Sequence, residues 1–291
     1  MKQELLIGGT PLLQLTRFCP NGVLLGKVEA CNLTGSSKDR AALAIVSDAW
    51  QTGQLLPGGT IIEATSGNMG ISLAALAARF GYHCILVMPE GMSPQRQQCM
   101  RRYGAQVVLT PAEAGMAGAV ETAQTLAEQI SGSFLPQQFS NPANALSHYQ
   151  GTGAEIWKQC NGQMDALVAC VGTGGTLTGA GRFLKEQNPY IQIVAVEPAE
   201  SPVLSGGKPG IHGIQGIGAG FVPELLERSL VDQILSVSTR QALQAMERLA
   251  KTEGLLCGIS SGAAAQAGLL LAAQGLRVAA ILPDTGLRYL S

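Results

Sequence analysis

Lys38 stands in the stretch LTGSSKDRAAL, residues 33 to 43, where a Gly-Ser segment gives way to a helix-forming run. Ser36 or Ser37 reads as an N-cap, since its hydroxyl can accept a hydrogen bond from an otherwise unpaired amide of the next turn. Lys38 then falls in the first helical turn, at the positive end of the backbone dipole, where a neutral amine is favoured over an ammonium. Taken alone, the segment better suits a solvated surface lysine partly compensated by Asp39, since most lysines lie on the surface. Other loops of the chain separate the two readings.

GTGGT, Gly172 to Thr176, follows an apolar run and leads into a helical one. Gly172, Thr173, Gly174, Gly175 and Thr176 offer bare backbone amides, two hydroxyls and a helix start, which together cradle a phosphate without a cation. The loop is no Walker motif, because GxxxxGK[ST] is absent. Glycines at 172, 174, 175 and 179 do not spell a dinucleotide fingerprint either, and the nearest candidate for a ribose-binding acid is Glu197. A phosphate-bearing cofactor smaller than a dinucleotide fits better. TSGNMG, Thr65 to Gly70, supplies hydroxyls, a side-chain amide and free amides at another helix start, a combination suited to a carboxylate, although this loop by itself reads more readily as a plain polar helix cap. CGISSGAAA, 257 to 265, repeats the arrangement with Ser260 and Ser261 ahead of an apolar helix.

A phosphate cup, a carboxylate loop and a helix-start lysine are united by pyridoxal 5'-phosphate, which needs a phosphate site, a Schiff-base lysine and a partner for its ring nitrogen. A lysine with its pKa lowered at a helix N-terminus in a closed cleft is a competent Schiff-base former and proton carrier. In this company the surface reading of Lys38 gives way.

Six runs must position these loops: TIIEAT (60 to 65), HCILVMP (83 to 89), AQVVLTP (105 to 111), DALVACV (165 to 171), IQIVAVEP (191 to 198) and RVAAILP (277 to 283). Each is short, continuous and rich in β-branched residues, as buried parallel strands are. Helical segments such as MGISLAALAARFG, SPQRQQCMRRYG and TLTGAGRFLKEQ lie between them. The alternation predicts doubly wound α/β sheets, with ligands beyond the carboxyl ends of the strands. Two α/β domains with a cleft between them is the simplest arrangement, with a turn over Pro142 to Ala145 near the junction.

Composition narrows the classes of function. In 291 residues, charged side chains make up 13 %, about half the usual share, and formal net charge is -1. No basic stripe is available for nucleic acid, and aromatics at 4 % provide no base-stacking surface. The opening MKQELLIGGTPLLQL lacks a long apolar core and a small-residue cleavage site, and no apolar run is long enough to span a bilayer, so a soluble cytoplasmic protein is expected. The seven cysteines are scattered without a CxxC pair, and Cys84 and Cys170 read as small core residues. His83, His148 and His212 are too far apart for a local metal motif, and no metal site is expected.

The ordered blocks GGTPLLQL, GSSKDR, EATSGNMGISLA, RRYGAQVVL, FSNPANALSHYQGTGAEIW, VGTGGTLTGAGRFLK, VAVEP, IQGIGAGFVP, GISSGAAA and LPDTGLRYLS run over almost the whole chain. In them the sequence resembles the cysteine synthases (O-acetylserine sulfhydrylases) among the fold-type II pyridoxal-phosphate enzymes, with their β-cyanoalanine synthase and cystathionine β-synthase relatives. The resemblance implies the tryptophan synthase β-like architecture. It implies a smaller mobile domain over 37–140 carrying the TSGNMG loop, a larger domain over 1–36 and 141–291 carrying the phosphate cup and Ser260, and an active site in the cleft between them. Lys38 is then the aldimine lysine and later acid/base, Asn68 the partner of the cofactor's phenolic oxygen, Gly172 to Thr176 the phosphate cup, and Ser260 the residue facing the pyridine nitrogen. Thr65, Ser66, Gly67, Asn68, Met69 and Gln138 align with the substrate-carboxylate loop and its companion glutamine, and Gly216, Gly218 and Ala219 lie in a segment similar to the active-site gate.

The implied reaction is β-replacement through an aminoacrylate, O-acetyl-L-serine and sulfide giving L-cysteine and acetate. The implied partners are a second copy of the chain and the C-terminal tail of a serine acetyltransferase. Met69 stands where sulfhydrylases carry threonine and resembles the cyanoalanine synthase branch. Ser37 replaces a usual valine or isoleucine, and the chain stops at RYLS, short of typical members. The alternatives are therefore the same chemistry with cyanide, a thiol or a cysteine or serine donor, and a catalytically silent cofactor-binding paralogue with a regulatory role.

Overall fold

All six apolar runs form strands in the computed structural model, which describes residues 5–289. In chain order the elements are β1 (Leu12–Gln14), β2 (Val23–Val28), α1 (Lys38–Gln51), β3 (Thr60–Ala64), α2 (Asn68–Phe80), β4 (His83–Pro89), α3 (Pro94–Arg102), β5 (Gln106–Thr110), α4 (Gly115–Gln129) and β6 (Ser133–Phe134). They continue with α5 (Pro142–Ser147), α6 (Ala154–Gln159), β7 (Ala166–Cys170), α7 (Gly175–Gln187), β8 (Gln192–Pro198), β9 (Gln233–Val237), α8 (Thr239–Glu253), α9 (Ile259–Ala272) and β10 (Arg277–Leu282). A π-helical stretch, His148–Gly153, joins α5 to α6. The expected α/β class holds. The described chain divides into two compact units, Lys38–Ala143 and a larger one made of Leu5–Ser37 with residues 144–289.

In the smaller unit four parallel strands run in the order β5-β4-β3-β6. Ile62, Ile85, Val87, Ala119 and Ala123 form one apolar cluster that fixes α4 against the sheet. Helix α1 buries Ala41, Ala42, Ile45, Val46 and Ala49, the stripe expected of an amphipathic helix. Helix α2 ends at Gly81, whose φ of 74° supplies the left-handed cap.

The larger unit holds a six-stranded sheet, β1-β2-β10-β7-β8-β9, parallel except for β1 at one edge. Its strands are apolar on both sides. Ala166 and Val168 of β7 face the cluster that includes Ala263 and Ala264 of α9, whereas Leu167 and Ala169 face the cluster that includes Leu177 and Ala180 of α7. Double coverage explains why the sequence shows continuous runs rather than alternation.

One expected turn is a helix. Pro142 to Ala145 opens α5, because Pro142 suits the first helical position and Asn141 Oδ1 accepts the Ala143 amide at 3.0 Å. The strands β1, β2, β6 and β9 lie outside the six runs, and β2 includes Lys27, which is fully buried and ion-paired with Glu155 at 2.7 Å.

Candidate active site

Lys38 is the first residue of α1 and is half-buried. The segment before it is tied by backbone bonds: Ser37 donates to the Pro283 carbonyl at 2.8 Å, Thr285 donates to Gly35 at 3.0 Å, and Ser36 forms a bridge with Asp284. Asp39 is no surface partner for the lysine. It is buried, with Oδ1 2.6 Å from the Ser72 hydroxyl, which also lies 3.0 Å from the Asn68 carbonyl. One serine therefore links the start of α1 to the start of α2, fixing the two turns that carry Lys38 and Asn68 within the smaller unit.

The substrate-loop candidates leave the carboxyl end of β3. Thr65 extends the ladder by donating to Val87 at 2.9 Å, and its hydroxyl accepts the Gly67 amide at 3.3 Å across Ser66. Gly67 caps α2 without a side chain, so it leaves the first-turn amides without the usual hydroxyl cap. Asn68 is half-buried in that turn and Met69 is buried. Gln138 comes to the same end of β3, where the Glu63 carboxylate accepts the amides of Gln137 at 3.1 Å and Gln138 at 3.5 Å.

The phosphate-cup candidates sit between β7 and α7 in the larger unit. Gly174 caps α7 with φ of 85°, a conformation that a side chain would strain. Gly175 lies against Asn144 so closely that a β-carbon would fall 2.2 Å from Asn144 Oδ1. Asn144 in turn donates to Thr173 Oγ1 at 3.0 Å. His148 brings Nδ1 within 2.8 Å of Thr152 Oγ1 and Nε2 within 3.1 Å of Thr176 Oγ1. Asn144 of α5 and His148 of the π-helical stretch thus brace the two hydroxyls of the GTGGT turn. Gly172 packs on the Gly216 carbonyl, where a β-carbon would lie 2.5 Å away, and Gly218 donates to Val171 at 3.0 Å. The GIGAG segment containing Gly216, Gly218 and Ala219 is therefore seated beside the cup.

Ser260, also in the larger unit, is buried in the first turn of α9 rather than ahead of it, and its carbonyl accepts the Cys170 thiol at 3.2 Å. Glu197, weighed as a ribose acid, is buried and accepts Leu204 N, Ser205 Oγ and Ser236 Oγ, so its carboxylate holds its own loop. All seven cysteines are free, and burial pushes the Cys84 thiol up to about 12 and Cys170 higher still. Among the described residues no His, Cys, Asp or Glu group could hold a metal ion, and no helix is long and apolar enough to cross a membrane.

The residues present fit a phosphorylated cofactor. Helices α2 and α7 open on a glycine that supplies no side-chain cap to the helix-start amides, and the start of α7 has no room for anything larger than glycine at 175. Comparison with known proteins agrees. The family model described as "Pyridoxal-phosphate dependent enzyme" matches residues 3–284. A cysteine synthase of Staphylococcus aureus is 47 % identical over 98 % of this chain and 94 % of its own. Among solved structures, the cysteine synthase of Entamoeba histolytica superposes with a TM-score of 0.95 at 41 % identity, covering 100 % of this chain and 91 % of that one. An O-ureido-L-serine synthase superposes with a TM-score of 0.95 at 41 % identity, covering 98 % and 92 %. The chain belongs to the pyridoxal-phosphate-dependent enzymes, in the cysteine synthase family.

Asn144, His148 and Glu63 were not legible as site residues. Their partners lie 29, 28 and 75 residues away in sequence, and no local spacing announces them. The π-helical stretch lies beside the cup candidates, and such irregular turns are frequent at functional sites.

Proposed function

We propose that this enzyme makes L-cysteine and acetate from O-acetyl-L-serine and sulfide, with pyridoxal 5'-phosphate held through Lys38. The observation that carries the reading is the braced GTGGT turn, a phosphate site without a cation, in a chain 47 % identical to a cysteine synthase over 98 % of its length. When bound, the cofactor supplies an electron sink beside the α-carbon of the amino acid.

The protein's own groups do the rest. Gly172 to Thr176 bind the phosphate through amides and hydroxyls. Thr65, Ser66, Gly67, Asn68 and Met69 present amides and polar side chains to the substrate carboxylate, with Gln138 beside them, and Asn68 also donates to the cofactor's phenolic oxygen. Once the amino acid has displaced it, the Lys38 amine takes the α-proton and returns it at the end. Ser260 offers the ring nitrogen a neutral hydroxyl where a carboxylate would stabilise a positive charge, which favours expulsion of the β-substituent as the α-proton leaves. Gly216, Gly218 and Ala219 gate entry.

The reading includes movement of the smaller unit on substrate binding, a homodimer, docking of a serine acetyltransferase tail and a cytoplasmic location, all by resemblance. Light scattering on the purified protein tests the dimer.

A second reading rests on Met69. Its thioether replaces a hydroxyl beside the carboxylate loop, and one structural relative at 41 % identity is named for O-ureido-L-serine, so the incoming nucleophile is the variable feature. Adding O-acetylserine to the yellow holoenzyme should shift its visible band, and sulfide should restore it faster than cyanide; the reverse order selects the second reading, and no shift rejects both. Lys38→Ala should lower turnover by about 10³-fold or more and let the cofactor dialyse away.

A further inference from the structure

We infer that Glu63 is a positioning residue for the amino-acid substrate, acting by holding Gln137 and Gln138 at the end of β3. This inference deepens the proposed function, because it rests on Gln138 meeting the substrate carboxylate.

Glu63 is 5 % exposed, in the middle of a parallel sheet, paired in register with Leu86 and flanked by the apolar Ile62. A carboxylate is an expensive group to bury there unless it is hydrogen-bonded. Its bonds all run to one place: Oε2 accepts the amide of Gln137, Oε1 accepts the amide of Gln138, and the Gln138 side chain also hydrogen-bonds it. The Gln138 side chain bonds the Glu63 carboxyl group beside its own backbone amide, which fixes which end of the side-chain amide is spent and which remains.

The backbone needs that hold. Gln137 has φ of 50°, in the left-handed region that side chains other than Asn and Asp seldom enter. The turn is completed by Ser140 and Asn141 donating to the Gln137 carbonyl at 3.0 and 2.9 Å, and by the Asn141 side chain on Pro136. Glu63 lies only two residues before Thr65, so one strand end fixes both the carboxylate loop and its companion glutamine. Cys84, the titratable group on the neighbouring strand, is kept neutral by burial and does not compete for these bonds.

The test compares wild-type holoenzyme with Glu63→Gln, Gln138→Ala and the double variant Glu63→Gln/Gln137→Gly. Glu63→Gln keeps the shape but places an NH2 against one backbone amide. It should raise KM for the amino-acid donor roughly tenfold, the effect of losing hydrogen bonds to a charged group, while kcat changes by less than about twofold. Hydrogen exchange should quicken in the peptide spanning 135–141, a readout independent of turnover. Adding Gln137→Gly should recover about a factor of three in KM, because glycine enters the left-handed region without steric cost. Should Glu63→Gln fail to fold, Glu63→Asp retracts the carboxylate by one methylene and should raise KM and quicken exchange in the same way. Unchanged KM and exchange in the Glu63 variants, with KM raised in Gln138→Ala, would overturn the role of Glu63 alone. Unchanged KM in Gln138→Ala would overturn the role of Gln138 in the proposed function.

Discussion

The two anion-binding candidates are built on opposite plans. In the larger unit the GTGGT turn is packed from several sides: Asn144 against Gly175 and Thr173, His148 on Thr176, Gly216 against Gly172. In the smaller unit, by contrast, Gly67 has nothing within 4 Å of where a β-carbon would stand, and the loop is held from behind by Thr65, Ser72 and Glu63. A cofactor that stays through many turnovers suits a site with no freedom to relax. A substrate that enters and leaves in each cycle suits one that is open in front and anchored only at its base.

The contrast breaks most sharply at Gly175. Gly175→Ala places a methyl 2.2 Å from Asn144 Oδ1, so Asn144 must move and release Thr173. The expected result is a loss of cofactor affinity of at least about tenfold and a stability cost of about 1–3 kcal/mol, read by spectroscopic titration and urea unfolding.

A pH-dependent effect is expected at the base of the TSGNMG loop. Burial raises the Glu63 pKa from 4.5 to about 7, so the unfolded chain releases this proton before the folded one does. The stability this group contributes is fully present below pH 4.5 and is lost as pH rises through 7, a swing of about 3 kcal/mol. Urea unfolding of wild type and Glu63→Gln between pH 4.5 and 8 should show the wild type losing ground to the variant by about that amount; parallel profiles would show that Glu63 titrates normally.

Smallest is the change at Gly67, where φ of -114° is open to any residue and the space is empty. Gly67→Ala should alter stability by less than about 0.5 kcal/mol and leave cofactor retention as it is, with any effect confined to KM for the donor. If Gly67→Ala cost as much as Gly175→Ala, the distinction between a filled and an open site would fail.

Much of this plan could be read without coordinates, and the exceptions have physical causes. Strands such as ILVM and LVAC are legible because burial on both faces makes them continuous apolar runs. Strand β2 is not, since Gly26 and Lys27 interrupt the run, and Lys27 is tolerated there because the Thr10 carbonyl and, from a distant helix, Glu155 and Gln159 meet its ammonium. Strands β6 and β9 are too short or too polar to stand out and exist through their partners. The GTGGT and TSGNMG turns stand out in the sequence because glycines and hydroxyls cluster where an apolar run gives way to a helical one. Asn144, His148 and Glu63 do not, because a buried polar side chain declares its role only through what it meets.

The larger unit is assembled from both ends of the sequence, for β2 pairs in register with β10 from Val23 with Arg277 to Val28 with Leu282. On the ribosome, therefore, β2 leaves the exit tunnel long before its neighbour has been synthesised, whereas Lys38–Ala143, a continuous stretch with its own four-stranded sheet, has all its partners at hand. The continuous unit Lys38–Ala143 should gain its shape during translation, and the larger unit only once β10 has been synthesised.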